Sequence, residues 1–243
     1  MLARVLAILD AVSAAPNVNR RDLAVRSGLS PATCNRIVAG LIRERLLTDG
    51  PAGLRLGLRL FEFGMQAGQE GVTLLDAAGP YLLDLYAVLG WTVQLAVLDG
   101  GFVTYLMKVD PRQHRRLDTR VAGRFPPHCT GAGKALLAYS AGETVDQLLD
   151  QTPLTSRTSA TITDRALLMR DLRSTRRRGY AIDRAEFQTG MTSIAVPIRT
   201  NTVPVAALTL SGPSEIFDPV RAAHAARVVV RMIEARIIAS GTG

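Results

Sequence analysis

The sequence has little of several residue types, and each shortage excludes a class of protein. Its 243 residues include two cysteines, Cys34 and Cys129, which are too few for a disulfide scaffold or a multi-cysteine zinc site and which suit a reducing compartment. The three histidines stand far apart, so we expect no metal site. No apolar run reaches the roughly 18 residues that a membrane span needs. We therefore expect a cytoplasmic protein with no membrane partner.

The first residues briefly resemble a secretory signal, because one arginine precedes an apolar stretch and several small residues. Asp10 interrupts that stretch, which in a signal is purely apolar. Leu2, Val5, Leu6 and Leu9 instead recur at helical spacing. The pattern predicts an amphipathic surface helix at the start of the chain.

Lysine is almost absent, with two lysines against 27 arginines, and the formal net charge is +8. Residues 1–60 contain nine arginines and four acidic residues, so the basic excess is concentrated there. Such a distribution favours a nucleic-acid-binding head on a nearly neutral body. A protein that is simply rich in arginine is the alternative.

A helix-turn-helix unit is predicted in this basic region. Asn19 is expected to cap a short helix that ends at Gly28. Ser30 then caps a longer helix, which opens with Pro31 and runs to about Arg45. In such units the second helix enters the major groove of DNA with its N-terminal end first.

Once the apolar stripe is removed, the longer helix has a polar face that would meet DNA. Arg36 is suited to a guanine edge and Asn35 to an adenine, whereas hydroxyls and the more distant arginines suit phosphates. A short hairpin after this helix forms a wing, on which Arg55 would reach a neighbouring phosphate. An ordinary solvated surface is the alternative for each arginine. The expected DNA-binding residues are Ser30, Pro31, Ala32, Thr33, Asn35, Arg36, Arg43 and Arg55.

Beyond residue 72 the pattern changes to hairpin strands, a cluster of helices, more strands and a closing helix. One of these helices, over 164–178, is expected to be capped by Thr163 and closed by Gly179. The polar stretch 110–124 is predicted to form a loop or an edge strand. This order of elements predicts an α+β domain with an antiparallel sheet.

Two segments in this second domain carry more than fold information, and they cover 123–135 and 178–198. In the first, Thr130 followed by small residues leaves the first backbone N–H groups of a helix uncovered. Such a terminus attracts a carboxylate or a phosphate. The second segment reads RGYAIDRAEFQTGMTSIAVPI and includes Asp183 and Ser193.

The order of a helix, a helix-turn-helix, a wing, a linker helix over 58–69 and these two segments resembles the IclR family of bacterial transcriptional regulators. The resemblance covers nearly the whole chain. It implies a winged helix-turn-helix DNA-binding domain over 1–60, a linker helix over 61–73 and a GAF-like effector-binding domain over 74–243. It also implies a regulator that is not an enzyme and that has no cofactor. Such a regulator would bind double-stranded promoter DNA and a small organic acid, which one version of the hypothesis makes aromatic.

By position, the resemblance implies a set of effector-binding residues. The N–H groups of Gly131 and Ala132 would meet a carboxylate, and the other polar members would offer hydroxyls or accept a hydrogen bond. Two apolar members, Phe125 and Met191, would form a wall. The full set is Phe125, Gly131, Ala132, Asp183, Met191, Ser193, Thr209 and Ser211.

The sequence departs from the family pattern in two places. Paired acids often follow the aspartate of the second segment, and here Ala185 and Glu186 stand there, so one negative charge is missing. The chain also begins almost at the first helix, without the leader that many members have. A homodimer is expected because one recognition helix makes few base contacts, and the resemblance adds a homotetramer as a further option.

Two rival readings involve the segment 128–135. A P-loop would need glycine at His128 and serine or threonine at Ala135, so Lys134 is expected to form a structural ion pair. His128 and Cys129 are sequence neighbours, which rarely face each other as a base and a nucleophile. The alternative from another class is a sensor or enzyme whose winged helix mediates dimerisation or docking. That helix would be more apolar on its outer face.

Overall fold

The computed structural model describes residues 1–67, 74–200 and 203–240, which form an N-terminal unit through Ala67 and a C-terminal unit from Leu74 onward. No helix within these residues is long and apolar enough to cross a bilayer. The combination of a helical head with a wing and a sheet domain with helices confirms the predicted α+β class.

Three packed helices, a hairpin and the helix that follows it build the described part of the N-terminal unit. Its core gathers the buried faces of all three helices and one side chain from each strand. The elements are α1 (Leu2–Ala14), α2 (Arg20–Ser27), α3 (Pro31–Arg43), β1 (Leu47–Gly50), β2 (Gly53–Leu56) and α4 (Leu58–Ala67). Leu47 and Leu54 thus anchor the wing to the helices.

The predicted caps of this unit are confirmed. The Asn19 side chain accepts a hydrogen bond from the Asp22 N–H, and that of Ser30 accepts one from the Thr33 N–H. Gly28 ends α2 in the left-handed conformation, with φ of 66°. The helix α4 begins at Leu58, inside the predicted 1–60 domain, and the remainder of the expected linker helix, 68–73, lies outside the described residues.

The C-terminal unit is built on an antiparallel sheet, whose strand order in the described residues is β5-β4-β3-β8-β7-β6. Its strands are β3 (Thr92–Asp99), β4 (Phe102–Val109), β5 (Arg124–Phe125), β6 (Ala181–Arg184), β7 (Met191–Thr200) and β8 (Val203–Pro213). Its helices are α5 (Leu74–Leu89), α6 (Gly131–Tyr139), α7 (Gly142–Gln151), α8 (Arg165–Arg178) and α9 (Pro219–Ser240).

The two faces of the sheet bury side chains of different size. Large residues such as Ile194, Val196 and Leu208 pack with α5 and α9 on one face. On the other face, alanines such as Ala195 and Ala207 pack against α6. Because a strand alternates its side chains, these alanines share the face that meets α6, and their small size lets that helix lie close to β7 and β8.

The helix α8 begins one residue later than expected, and the prediction that Thr163 caps it is wrong. Asp164 is the cap, since its Oδ1 accepts a hydrogen bond of 2.8 Å from the Leu167 N–H. The C-terminal end is as predicted, at Gly179 in the left-handed conformation. The stretch 110–124 is mostly loop, and its last residue begins the short strand β5.

The entry to α6 allows only glycine at position 133. A Cβ atom on Gly133 would lie 2.2 Å from the Pro127 carbonyl oxygen, which belongs to the backbone and has little freedom to shift. We expect Gly133→Ala to lower the free energy of unfolding by about 1–3 kcal/mol or more. Gly142→Ala, at the first position of α7, meets nothing within 4 Å and should stay within about 0.5 kcal/mol.

Urea denaturation, monitored by tryptophan fluorescence, measures this difference in the free energy of unfolding of the C-terminal unit. Trp91 is the one tryptophan of the chain and packs against Phe217, so its signal reports the C-terminal unit. Equal stability of the two variants would contradict the close approach at Gly133.

Candidate functional site

The outer face of α3 is polar and accessible. Of the eight residues expected to meet DNA, all are exposed except Thr33, which is half-buried. The Ser30 hydroxyl donates to Thr33 Oγ1 at 3.0 Å, so these two side chains are fixed at the helix start. Arg36 and Arg43 line a groove between α3 and α1 together with Arg4, a residue that the sequence analysis did not select.

Ion pairs separate the arginines of this unit into two groups. Arg20, Arg45 and Arg59 pair with Asp49, Glu62 and Glu44, respectively. Arg36 and Arg55 have no acidic partner within the described residues, and Arg43 has only a 3.9 Å contact with Glu44. Arg4 of α1 and Arg21 and Arg26 of α2 are likewise exposed without an acidic partner in the described residues, so α3 and the wing carry part of the charge that remains available for a polyanion.

Six of the eight residues expected to bind an effector surround one narrow cavity in the C-terminal unit, which has about 200 Å³ of empty space with adjoining solvent and is too tight to admit a water molecule. They come from the start of α6 and from three neighbouring strands. The predicted members are Gly131, Ala132, Asp183, Ser193, Thr209 and Ser211, and the further lining residues are Tyr105, Leu117, Thr130 and Phe187.

The strand register brings the polar members together. Asp183 of β6 lies opposite Ser193 of β7, which lies opposite Ser211 of β8. Thr209 is two residues from Ser211 and therefore points to the same face. Its opposite residue on β3 is Gln94, and the Thr209 hydroxyl donates to the Gln94 amide oxygen at 3.4 Å. Asp183, Ser193 and Ser211 thus form one row across the sheet, and Thr209 lies in the next row on the same face.

Several polar groups of the cavity have unused hydrogen-bonding capacity. The Thr130 hydroxyl accepts the Gly133 N–H at 3.2 Å, which leaves the N–H groups of Gly131 and Ala132 without a partner in the described part of the chain. Ser193 Oγ and Ser211 Oγ are also buried there without a partner. Since buried polar groups are normally hydrogen-bonded, this arrangement favours a polar ligand in the cavity.

Asp183 is the acidic group of the cavity, and its side chain is buried. Burial and the nearby Glu186 carboxylate raise the pKa of Asp183 to about 7, although the Lys134 ammonium and two backbone donors oppose the shift. These donors are the N–H groups of Glu186 and Phe187, which bond Asp183 Oδ1 at 2.7 and 3.3 Å. Near neutral pH this carboxyl can therefore either donate or accept a proton in a hydrogen bond.

Lys134 forms a buried ion pair, as the sequence suggested. Its Nζ lies 2.6 Å from Glu186 Oε1 and 2.9 Å from Asp171 Oδ2, and the side chain is 1% exposed. The lysine links α6 to α8 and to the turn that follows β6. Its ammonium group contacts these carboxylates, which favours a structural role over phosphate binding.

One wall of the cavity comes from the loop between β4 and β5. Leu117 of this loop is buried and lines the cavity. The Lys108 ammonium donates to the carbonyl oxygens of Leu117 and Thr119, at 2.8 and 2.6 Å, and pairs with Asp110 at 3.1 Å. The Lys108 ammonium thus ties the loop to β4, and hydrogen bonds of Gln94 and Gln188 with loop residues add to this hold.

Phe125 and Met191 do not line the cavity. They pack in a buried cluster with Leu117, Cys129 and Phe187, one layer behind the wall. The Phe125 ring lies 5.4 Å from the ring of Tyr105 and 5.6 Å from that of Phe187. The apolar wall that the ligand would meet is therefore formed by other aromatic side chains.

Sequence reasoning missed Tyr105 and Phe187 as lining residues. Phe187 stands inside the second segment, four residues after Asp183, so the segment itself was the available signal. Tyr105 gave no such signal, because it lies on β4, outside both segments. Only the pairing of β4 with β3 brings it to the cavity.

His128 and Cys129 each contact a backbone carbonyl oxygen. Burial raises the pKa of Cys129 to about 12, so the thiol stays protonated at neutral pH. His128 Nε2 lies 3.0 Å from the Thr155 carbonyl oxygen, and burial lowers the pKa of the ring. No group of three or more candidate metal ligands occurs in the described residues.

Comparison with known families matches both units. Residues 68–235 match the family described as bacterial transcriptional regulator IclR C-terminal, and residues 1–48 match winged helix-turn-helix DNA-binding. The HTH-type transcriptional regulator BhcR of Paracoccus denitrificans is 31% identical, over 88% of this chain and 77% of its own length. The HTH-type transcriptional regulator XynR of Escherichia coli is 30% identical, over 91% of this chain and 89% of its own length.

Solved structures agree with these matches. An IclR homologue from Microbacterium hydrocarbonoxydans, complexed with 4-hydroxybenzoate, is 30% identical with a TM-score of 0.90, covering 98% of this chain and 99% of its own. The IclR of Thermotoga maritima is 25% identical with a TM-score of 0.80, covering 97% of this chain and 98% of its own.

The raised pKa of the buried Asp183 carboxyl predicts that the free energy of unfolding depends on pH. Its pKa is about 7 in the folded chain and about 4 when unfolded, so the folded state holds the proton more tightly. The contribution of Asp183 to the free energy of unfolding therefore falls as pH rises from about 4 to 7. Asp183→Asn keeps a side-chain oxygen that can accept hydrogen bonds from the backbone N–H groups, and it removes the charge. We therefore expect this variant to be more stable than the wild type at pH 8.

Urea midpoints from Trp91 fluorescence at pH 5 and pH 8 measure this effect. The advantage of the variant should be small at pH 5 and larger at pH 8. Asp146→Asn, which removes an exposed carboxylate of α7, serves as the control. An advantage of Asp183→Asn that does not change with pH would contradict the raised pKa.

Proposed function

This chain belongs to the IclR family of bacterial transcriptional regulators, and from that premise we propose that it reads promoter DNA with α3 and the wing and responds to a small carboxylic acid in the cavity. The observation that carries the DNA part is the polar, exposed face of α3, on which Arg36 has no acidic partner in the described residues and Arg43 has only the long contact with Glu44. A helix used only for docking would expose apolar side chains at the places of Ala32, Asn35 and Arg36.

Fluorescence anisotropy tests this proposal with DNA from upstream of the gene for this protein and its neighbours, against a scrambled fragment. A regulator should prefer one natural fragment by about 10³ or more at near-physiological salt. Its binding should also weaken steeply as salt rises, because several phosphate contacts release counterions. Weak and equal binding to every fragment would favour a docking role for the winged helix.

Two arginines on one face of α3 should behave differently. Arg36 lies nearer the N-terminal end, which enters the groove, and Arg43 is the last residue of the helix. We expect Arg36→Ala to reduce the preference for operator over random DNA by about 1–3 kcal/mol per half-site, whereas Arg43→Ala should weaken both equally. Anisotropy titrations on the two fragments give the comparison. An equal loss of affinity for both fragments in Arg36→Ala would assign this arginine to a phosphate.

The proposed effector is a small organic acid, and an aromatic one suits the wall of Tyr105 and Phe187. Its carboxylate would lie at the start of α6, near the uncovered N–H groups of Gly131 and Ala132. The buried hydroxyls of Ser193 and Ser211 would complete its hydrogen bonds. The similar protein complexed with 4-hydroxybenzoate supports this class of ligand and supplies the first compound to titrate.

Removing the unpartnered hydroxyls separates binding from folding. Ser193→Ala with Ser211→Ala takes away two buried groups without partners, so we expect a ligand-free protein that is as stable as the wild type or more so. The same change should weaken binding of 4-hydroxybenzoate at least about tenfold, since each lost hydrogen bond costs roughly 1 kcal/mol or more.

Isothermal titration calorimetry and urea denaturation measure the two effects. Thr104→Val is the matched control, because Thr104 Oγ1 is also buried and unpartnered but does not line the cavity. Unchanged affinity in the double variant would place the ligand elsewhere.

The effector would act by favouring one arrangement of the two units, since only a difference in affinity between arrangements shifts their populations. We propose a homodimer on two half-sites, because a single α3 offers few base contacts. The second domain of each protomer would then bind one effector.

A further inference from the structure

A second groove lies in the C-terminal unit, away from the effector cavity, and it is rich in arginine. With adjoining solvent it comprises about 560 Å³ and is lined by Arg199, Arg227 and Arg231, with Glu234 as its only acidic lining residue in the described part of the chain. It forms where β7 and α9 meet the C-terminal ends of α6 and α8. None of the residues that form the effector cavity belongs to it.

The local structure does not occupy all the guanidinium groups of these arginines. Arg227 donates to the carbonyl oxygen of Arg178 and so caps the end of α8. Arg199 and Arg231 have no acidic partner among residues 74–200 and 203–240. The carboxylate of Glu234 accepts the backbone N–H of Arg199 at 2.8 Å, which is a backbone contact and leaves both guanidinium groups unpaired.

Two tyrosine rings position the guanidinium groups. The Cζ of Arg199 lies 5.1 Å from the ring centre of Tyr139, and that of Arg227 lies 5.1 Å from the ring centre of Tyr180. Stacking of this kind fixes an arginine side chain while its N–H donors remain free. At Gly179 a Cβ would approach Arg227 Nη2 to 3.0 Å, so the glycine leaves room for that side chain.

We propose that this groove binds a phosphate group, either inorganic phosphate or the phosphoryl end of a phosphate monoester, through Arg199, Arg227 and Arg231. The guanidinium groups of Arg199 and Arg227, stacked on tyrosine rings, can form charge-assisted hydrogen bonds with phosphate oxygens, and the exposed Arg231 adds a third cation at the groove. Glu234 also lines the groove, and its Oε1 already accepts the Arg199 N–H, so three cations face one carboxylate there. The site is separate from the proposed effector cavity and does not depend on it.

Isothermal titration calorimetry of the full chain tests the proposal with inorganic phosphate and with glycerol 3-phosphate, at an ionic strength held constant with sodium chloride. We expect saturable binding of at least one of them, and the comparison identifies whether free phosphate or a monoester is preferred. Arg199→Gln with Arg231→Gln should weaken it at least about tenfold. Absence of saturable heat with both compounds would overturn the proposal.

The matched control is Arg170→Gln with Arg173→Gln, which removes the same two charges from the exposed side of α8, outside the groove. Its phosphate affinity should stay within about twofold of the wild type. An equal loss in both double variants would show a general effect of charge and would overturn the site. Arg231→Gln alone serves if the double variant proves less stable by Trp91 fluorescence.

Random-sequence duplex DNA and 4-hydroxybenzoate complete the experiment. If the groove variant loses DNA affinity and the wild type does not bind phosphate, the groove contacts the DNA backbone and the small-ligand proposal is wrong. Binding of 4-hydroxybenzoate should be equal in all variants if both proposals hold. If 4-hydroxybenzoate binds to no variant but phosphate still does, the effector proposal fails and the phosphate site stands.

Discussion

The close approach of α6 to the sheet is the constraint on which the C-terminal unit depends. Alanines on one face of the sheet and Gly133 against Pro127 let the helix lie near the strands, and Lys134 then reaches the carboxylates of Asp171 and Glu186. The same placement aims the first N–H groups of the helix into the cavity. A larger side chain at this contact would move the helix start away from the row of polar residues on the strands.

Much of the fold could be predicted from the sequence because its signals are local. Caps at Asn19 and Ser30, glycine at the ends of helices and alternation in the hairpin strands each depend on a few neighbouring residues. The cap of α8 was misassigned because Thr163 and Asp164 are both good caps and only the backbone decides between them. Secondary structure at this level needs no knowledge of tertiary contacts.

The cavity was predictable only in part. Its polar members stand within or near the recognisable segments, whereas Tyr105 and Leu117 come from β4 and the loop after it and reach the cavity through sheet pairing. The predicted wall residues Phe125 and Met191 lie behind it, because side-chain depth depends on packing and not on sequence position. The arginine groove was missed for the same reason, as its residues come from β7 and α9.

The hold of Lys108 on the loop over the cavity bears on how fast a ligand can exchange. The Lys108 ammonium bonds two carbonyl oxygens of the loop, and the amides of Gln94 and Gln188 form further hydrogen bonds with it. The loop therefore opens only when several contacts break together. The need to break them slows entry and departure by the same factor, which lengthens the residence time of a bound molecule without changing its affinity. A regulator built in this way would retain its response for a time after the free effector has been consumed.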